Sequence, residues 1–408
     1  MVNPQLPRFA AALAAMVGCA LAALGSLAQP TSTSPLAPPP NGVRKSVPAQ
    51  GWHAIVGATV HISPDKTLDS AVVVWRDGRI VSAGSVPAPA GATTHEGEGL
   101  HIYAGFIEPY LEVDVPRPDV SAPGSHWNAR VTPQRGALDK GSRGIDAKTA
   151  QTLRELGFAA AAISPRGGIF RGRGSVVSLA KPSGDLSAAM PAVYRESAYS
   201  CVSFDTSAPG SASDAAADET RWERYPDSQM GAIALIRQTL SDAAWQAARR
   251  MEGSLTDSGN ALDWLIGPQI AQAPSAGDGS SARRTSHGWH GLLLFDVADE
   301  LEALRAARIG NEFDRSVAVL GSGREYRRLA AIVEDKSALV LPLSFPRAPE
   351  VGTIGEANAV ELEELMHWEQ APTNPRRVEA ALRAAGRGDG VSFTTSKGDG
   401  GRAGGRRG

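Results

Sequence analysis

Apolar and polar residues follow two patterns along the chain, one typical of β-strands and the other of α-helices. Short β-type runs predict strands at 55–62, 71–75, 79–83, 106–113, 158–163, 175–179, 199–204, 292–295, 317–320, 338–343 and 391–396. Apolar residues at helical spacing predict helices at 149–156, 229–250, 298–309 and 325–333. In the longest helix the stripe Met230, Ile233, Ile236, Leu240 and Ala244 predicts core packing.

These elements fall into two regions. Residues 52–104 contain only strand-type runs, and Asp77-Gly78 between two of them favours a tight hairpin, so a small antiparallel sheet is predicted there. From residue 105 to 395 the order becomes strand, loop, helix. This alternation is typical of a parallel sheet covered by helices, and the sequence therefore predicts an α/β fold.

The two ends of the chain differ from this body. Residues 1–28 resemble a signal peptide, because an apolar run at 9–24 is followed by small residues ending at Ala28, where we expect cleavage and export to the periplasm or beyond. A lipobox-like segment keeps open the alternative of a lipid anchor on Cys19. The Pro- and Ser-rich stretch 29–51 predicts an extended linker.

Composition excludes some partners and some chemistry. The last residues, 396–408, are mostly Gly and Arg and predict a disordered tail. The formal net charge of -2 gives no basic field for a phosphate backbone, so nucleic acid is not expected as a ligand. Cys201 is the one cysteine after the predicted cleavage point, so no internal disulfide is expected. We interpret Cys201 as a small buried residue of a strand rather than as a nucleophile.

Several segments, in order, resemble the opening of the amidohydrolase superfamily. They are Ala58-Thr59-Val60, Asp77–Gly84 (DGRIVSAG), Gly91-Ala92-Thr93 and Gly99–Glu108 (GLHIYAGFIE). Three further segments, 126–133 (HWNARVTP), 156–158 (LGF) and 367–372 (HWEQAP), resemble an exported branch in which one of two barrels is degenerate. The resemblance implies a small β-sandwich at 52–104 followed by an incomplete TIM-like (β/α) barrel, and metal-dependent hydrolysis of non-peptide carbon-nitrogen (amide) bonds.

The metal-binding residues that the resemblance implies are replaced. Family members carry a His-x-His pair on the first barrel strand, and here those positions are Tyr110 and Glu112. The later His positions match Asp296 and Leu320, and an aliphatic side chain cannot bind a metal. Glu112, Asp114 and Asp296 are thus the candidate ligands for a divalent ion such as zinc, with ion-paired or solvated carboxylates as the alternative.

Other motifs carry weaker signals. The family's last barrel strand provides a catalytic Asp, but 394–396 is Thr-Thr-Ser, and the family's bridging lysine is not identified. His287 and His290 are a weaker metal pair, with polar surface as the alternative. The glycine-rich segment 167–174 precedes a predicted strand rather than a helix, so a hairpin or barrel-mouth loop is expected instead of a phosphate loop.

Three functional hypotheses follow. The first is a metal-dependent hydrolase of a small amide substrate. The second is a non-catalytic scaffold or binding subunit that supports an active partner barrel, either a second amidohydrolase-like barrel or another copy of this chain. The third is a C-terminally truncated product with no independent role, because family members continue beyond the last strand.

Overall fold

The computed structural model describes residues 51–76, 79–180, 192–206, 225–253, 259–266 and 291–397. The chain divides into two compact units, the first ending at Ala104 and the second beginning at Gly105. Several predictions concern residues outside the described ranges: the signal peptide with Cys19, the linker up to residue 50, the Asp77-Gly78 turn, the His287 and His290 pair, and tail residues 398–408.

The described strands of the first unit form one mixed sheet. They are β1 (His53–Ser63), β2 (Lys66–Arg76), β3 (Arg79–Gly84), β4 (Thr93–Glu96) and β5 (His101–Tyr103). β2 pairs antiparallel with β1 and β3, whereas β4 and β5 both pair parallel with β1. The prediction of a wholly antiparallel sheet is therefore wrong, and the predicted sandwich is not confirmed. The cause is connectivity, since β4 and β5 are reached through loops that do not impose the reversal of a hairpin.

The described strands of the second unit form a nearly closed barrel. They are β6 (Phe106–Val113), β7 (Phe158–Pro165), β8 (Phe170–Ser178), β9 (Val193–Ser203), β10 (Leu293–Asp296), β11 (Val317–Leu320), β12 (Ala338–Pro342) and β13 (Val391–Thr394). Each strand pairs with its neighbour in chain order. β8 runs antiparallel to β7 and β9, and the other pairs are parallel, so the expected parallel sheet is interrupted at one strand.

The reversal at β8 follows from the short loop that precedes it. Residues 166–169 connect β7 to β8, and a connection this short joins strands only in antiparallel fashion. The glycine-rich segment 167–174 spans the end of this loop and the start of β8. The prediction of a hairpin there is confirmed, although residues 170–174 are strand rather than loop.

Helices cover the outside of the barrel. They are α1 (Ala147–Glu155), α2 (Gln229–Met251), α3 (Asp263–Ile266), α4 (Glu300–Glu312), α5 (Leu329–Glu334), α6 (Ile354–Ala359), α7 (Leu362–Gln370) and α8 (Asn374–Ala384), with short 3-10 helices at Glu325–Arg328 and Ala371–Thr373. Three of them begin at side-chain caps that satisfy otherwise unpaired amides: Asp146 caps α1, Ser228 caps α2 and Asp299 caps α4. Among the described residues, none of these helices is long and apolar enough to cross a bilayer.

The core face of α2 differs from the predicted stripe. Ile236 and Leu240 are buried as expected, but Met230 is 82% exposed and Ala244 is also exposed. The buried residues are Ala232, Leu235, Ile236, Thr239, Leu240, Ala243, Gln246 and Ala247. These residues follow the helical period of 3.6 residues and so share one face of the helix. The predicted stripe followed a slightly different spacing, which placed its first and last residues outside that face.

Barrel strands alternate between the helices and the interior. Leu293, Phe295, Val319 and Leu341 pack with the helices in the largest apolar cluster. Their neighbours Leu294, Ala318, Leu320 and Val340 belong to a second cluster with Tyr110, Tyr199 and Cys201, inside the barrel. This alternation, which is a property of any strand, points every second side chain of β6 and β10 inward. It is what positions the candidate site.

Candidate functional site

The predicted site residues of β6 project into the barrel. Tyr110 is buried, and its hydroxyl donates to Glu112 Oε1 at 2.8 Å. Two residues earlier on the same strand, Glu108 is fully buried. The strand therefore places a carboxylate, a phenol and a second carboxylate in a line toward its C-terminal end, where TIM-type barrels carry their active sites.

An arginine from β8 lies between the two predicted metal-ligand carboxylates. The Arg171 side chain is only 6% exposed. Its Nη1 donates to Glu112 Oε1 at 3.0 Å and to the Tyr110 hydroxyl at 2.9 Å, and its Nη2 lies 2.8 Å from Asp296 Oδ2. Arg171 thus joins β6 to β10 across the interior.

A lysine at the end of β13 completes the arrangement. Lys397 Nζ lies 2.6 Å from Asp296 Oδ1 and donates to the Val297 and Leu320 carbonyls at 2.7 and 3.1 Å. Its three acceptors match the three donors of an ammonium group. We call Tyr110, Glu112, Arg171, Asp296 and Lys397 the ion-pair cluster.

Burial and charge set the protonation states of this cluster. Burial raises the pKa of Tyr110 well above the ordinary phenol value, although Arg171 acts in the opposite direction. Burial alone would raise the pKa of Asp296, but Lys397 and Arg171 outweigh it and hold that pKa below its usual value. Burial also opposes the charge on Arg171, yet Asp296 and Glu112 help to keep its pKa above the normal range. At neutral pH the cluster therefore contains a neutral phenol, an ionised Asp296 and a charged guanidinium.

The candidate ligands do not fit a metal centre. The Asp296 oxygens face Lys397 and Arg171, and the Glu112 oxygens face Arg171 with Tyr110 on one side and Arg166 on the other. A divalent ion would have to displace these cations and would be repelled by them. Within the described ranges no three His, Cys, Asp or Glu side chains are grouped closely enough to hold a metal. Protein zinc sites use three or four such ligands.

The third predicted ligand is separate from the other two. Asp114 lies one residue beyond β6, its side chain is 58% exposed, and its Oδ1 lies 3.5 Å from Arg166 Nη1. Arg166 also binds Glu112 Oε2 at 2.9 Å and is itself 59% exposed. As a candidate ligand two residues after Glu112, Asp114 would have to share the inward strand face of Glu112. It does not, because the strand ends before it.

A backbone irregularity in β8 aims Arg171 into the barrel. The pairing of β8 with β9 shifts register between Phe170 and Gly172. Gly172 has φ +121°, and a Cβ at this position would lie 2.1 Å from the Arg135 carbonyl oxygen. Arg135 in turn donates to the Arg166 and Val115 carbonyls, and burial lowers its pKa to about 10. The loop after β6 thus holds the start of β8 in place.

A second polar group closes the barrel between its first and last strands. The Thr394 hydroxyl donates to Glu108 Oε1 and also contacts the Tyr110 carbonyl at 3.3 Å. Thr395 donates to Glu108 Oε2 through its amide at 3.1 Å and its hydroxyl at 2.8 Å. Thr394 and Thr395 therefore satisfy a buried carboxylate.

A small polar cleft opens next to the cluster. Its volume is about 160 Å³, and its lining includes Ser203, Asp296, Glu302, Ser322, Arg324 and Lys397. These residues follow the C-terminal ends of β9, β10, β11 and β13. A water occupies about 30 Å³ of liquid and small-molecule pockets usually exceed about 300 Å³, so the cleft suits only a few waters or a very small polar molecule.

Cys201 lies in the apolar layer of the barrel, as predicted for a structural cysteine. It is almost completely buried, and burial raises the pKa of its thiol to about 12. The thiolate that a nucleophile needs is therefore absent at neutral pH.

Sequence reasoning missed Arg171, Lys397 and the role of Glu108. Arg171 lies in the glycine-rich segment, and Lys397 lies three residues after the end of the last strand. One signal was available: ionised carboxylates at inward strand positions need buried cations, so a basic residue in an otherwise apolar strand is the place to look.

Comparisons with known proteins give distant likenesses. The chain matches no protein-family model and has no significant match among curated proteins. It is similar in structure to an amidohydrolase from Thermotoga maritima, with a TM-score of 0.48 and 15% identity over 81% of this chain and 83% of that one. A prolidase solved with N-methylphosphonate-L-proline gives 0.35 and 12% over 86% and 79%, and the A. niger ochratoxinase gives 0.33 and 12% over 86% and 77%. These likenesses are too distant to assign a family or a reaction.

Proposed function

We propose that this protein is an amidohydrolase-related barrel whose metal centre is replaced by the ion-pair cluster, and that it acts as a non-catalytic scaffold. The observation that carries the proposal is the position of Arg171, whose guanidinium binds both Glu112 and Asp296. The sequence resemblance over the chain's opening segments supports the superfamily, and the replaced His positions support the loss of metal chemistry.

The cluster supports this proposal on energetic grounds. Two carboxylates in a barrel interior require neutralisation, which a metal ion provides in metal-dependent enzymes. Here Arg171 and Lys397 provide it for Glu112 and Asp296, so these two carboxylates need no metal for neutralisation. A guanidinium and an ammonium hold charge but offer no exchangeable position for a water nucleophile.

Zinc analysis of matched variants tests the proposal against the metal-dependent hydrolase. The zinc content per chain is measured for the wild type, Glu112→Gln and Asp296→Asn after equilibration with zinc and removal of excess. We expect the same content in all three, because these carboxylates are bound to cations. A loss of about one equivalent in both variants, with circular dichroism showing them folded, would overturn the scaffold and favour the hydrolase.

We also propose export and a partner barrel. The N-terminal pattern supports secretion or periplasmic location, and N-terminal sequencing of the mature protein from the native cell should begin at Gln29. The resemblance to exported proteins with a degenerate second barrel supports an intact amidohydrolase-like barrel as the partner. Co-expression with the product of the adjacent coding sequence should give a stable heteromer, whereas sedimentation as a homodimer would favour self-association.

A further inference from the structure

Helix α7 turns its apolar side toward solvent. Four large apolar side chains of this nine-residue helix are exposed: Leu362 by 72%, Met366 by 51%, Trp368 by 43% and Leu365 by 37%. Leu362 is followed at three and four residues by Leu365 and Met366, and Trp368 comes three residues after Leu365, so the four are neighbours on one face of the helix. We call these four residues the α7 face. A surface helix normally packs such a face against the core.

Polar contacts hold the opposite side of α7 against the segment that follows β11. His367 is the buried residue of the helix, and its Nδ1 lies 3.3 Å from the Tyr326 hydroxyl. Glu363 Oε1 accepts from Arg324 and from Arg327 at 2.9 Å each. Because the helix is attached through these polar side chains, its apolar residues point away from the barrel.

Carboxylates border the α7 face. Residues 350–370 contain six glutamates and no lysine or arginine, although the whole chain has a formal net charge of only -2. Glu364 comes four residues before Trp368 and Glu369 four residues after Leu365, so both lie beside the face. In the described part of the chain these two side chains are exposed and form no ion pair.

We propose that the α7 face binds an amphipathic helix of a partner protein, with apolar residues on its contact side and lysine or arginine flanking them. Exposed apolar patches with a polar rim mark protein interaction sites, and opposite charges at the rim select the partner. The proposal rests on the scaffold function and names the surface through which the scaffold holds its partner.

The charge of this surface disfavours other occupants. Anionic lipid headgroups would be repelled by the glutamates. A two-fold contact between copies would bring the same acidic rims together. Residues 398–408 contain three arginines but no apolar side chain larger than Ala403, so this segment could neutralise the rim but could not cover the apolar face.

Photo-cross-linking in the native cell tests the proposal. Benzoylphenylalanine replaces Met366 in the full chain, and the cross-linked peptides are sequenced. We expect a segment of another protein with apolar residues at helical spacing and flanking lysine or arginine. Replacement of Met251 is the matched control, because Met251 is 76% exposed at the end of α2 but follows two arginines, and it should not capture this segment.

Charge reversal in the same photoreactive chain tests the role of the rim. Glu364→Lys with Glu369→Lys should lower the yield of the cross-link by about tenfold or more, because both changes oppose a basic partner. Glu334→Lys is the control, since Glu334 is an exposed glutamate at the end of α5, and it should leave the yield unchanged. Circular dichroism confirms that each variant is folded.

Several outcomes would overturn the proposal. They are a cross-link to residues 398–408, to a second copy, to lipid or to a segment without basic residues, a yield no greater than that at Met251, and a yield that charge reversal leaves unchanged. Because no residue of α7 belongs to the ion-pair cluster, these outcomes do not affect the zinc comparison. Failure of the scaffold function would instead appear there as a loss of bound zinc.

Discussion

The barrel interior contains two layers of side chains, which are stabilised by different interactions. The deeper layer includes Leu294, Ala318 and Val340, which are excluded from water together. The layer toward the C-terminal strand ends is the ion-pair cluster, in which each charge is held by its opposite. Truncating one side chain of the apolar layer should therefore leave only a local cavity. Removing one cation from the charged layer should instead leave buried carboxylates without a partner and destabilise the whole layer.

Removing Arg171 should cause the largest loss of stability of the changes considered. Arg171→Met would leave Glu112 and Asp296 with one cation fewer inside the barrel, and losing a partner of a buried ion pair costs about 3–5 kcal/mol. Arg166→Met is the matched control, since Arg166 also binds Glu112 but is mostly exposed, and it should cost about 1 kcal/mol or less. Urea unfolding measures both. Equal losses would contradict the special position of Arg171.

A cavity in the apolar layer should cost slightly less. Leu294→Ala removes a buried side chain from the deeper layer and should lower the free energy of unfolding by about 3 kcal/mol. This loss should be the same at pH 7 and pH 4, because the residue carries no charge. A loss that changed by more than about 1 kcal/mol between these pH values would show that the two layers are coupled.

Lowering the pH should destabilise the charged layer but not the apolar layer, because only the charged layer contains a group that titrates in this range. The folded-state pKa of Asp296 lies below its usual 3.8, so the stability it contributes is complete above that value and is lost as pH falls through the folded pKa. The wild type should therefore lose stability more steeply below pH 4 than Asp296→Asn does. Parallel pH profiles for the two proteins, measured by thermal unfolding, would contradict this assignment.

The contact between the first and last strands should show the smallest effect. Thr394→Val removes a buried donor to Glu108 and should cost about 1–3 kcal/mol, with faster hydrogen exchange at β6 and β13. Ser392→Ala on the same strand is the control, because its hydroxyl makes only a long contact of 3.4 Å to the Leu339 carbonyl. Similar exchange rates in both variants would exclude Thr394 from closing the barrel.

Much of the fold could be predicted because it depends on local pattern. The strands 106–113 and 317–320 were predicted to the residue, and the other described barrel strands were found with shifted ends. The reversal of β8 was not predicted, although the glycine-rich hairpin that causes it was. Strand direction depends on loop length as well as on apolar runs, and the two signals were not combined.

Only the carboxylates and the tyrosine of the site were predicted from the sequence. Tyr110, Glu112 and Asp296 were identified through the resemblance and do lie together, but their cations were not. Arg171 is on β8 and Lys397 follows β13, and only barrel closure brings them to β6 and β10. No spacing along the chain encodes that proximity. Asp114 shows the opposite error, since it lies one residue beyond the strand at 106–113 and its side chain is exposed rather than inward.

Zinc dependence of stability tests the central claim most directly. The free energy of unfolding is measured with excess chelator and with zinc. The ion-pair cluster predicts equal values within about 0.5 kcal/mol. A gain of about 2.7 kcal/mol, as expected at a zinc concentration 100 times Kd, that disappeared in Glu112→Gln would contradict it and restore a metal centre to the barrel.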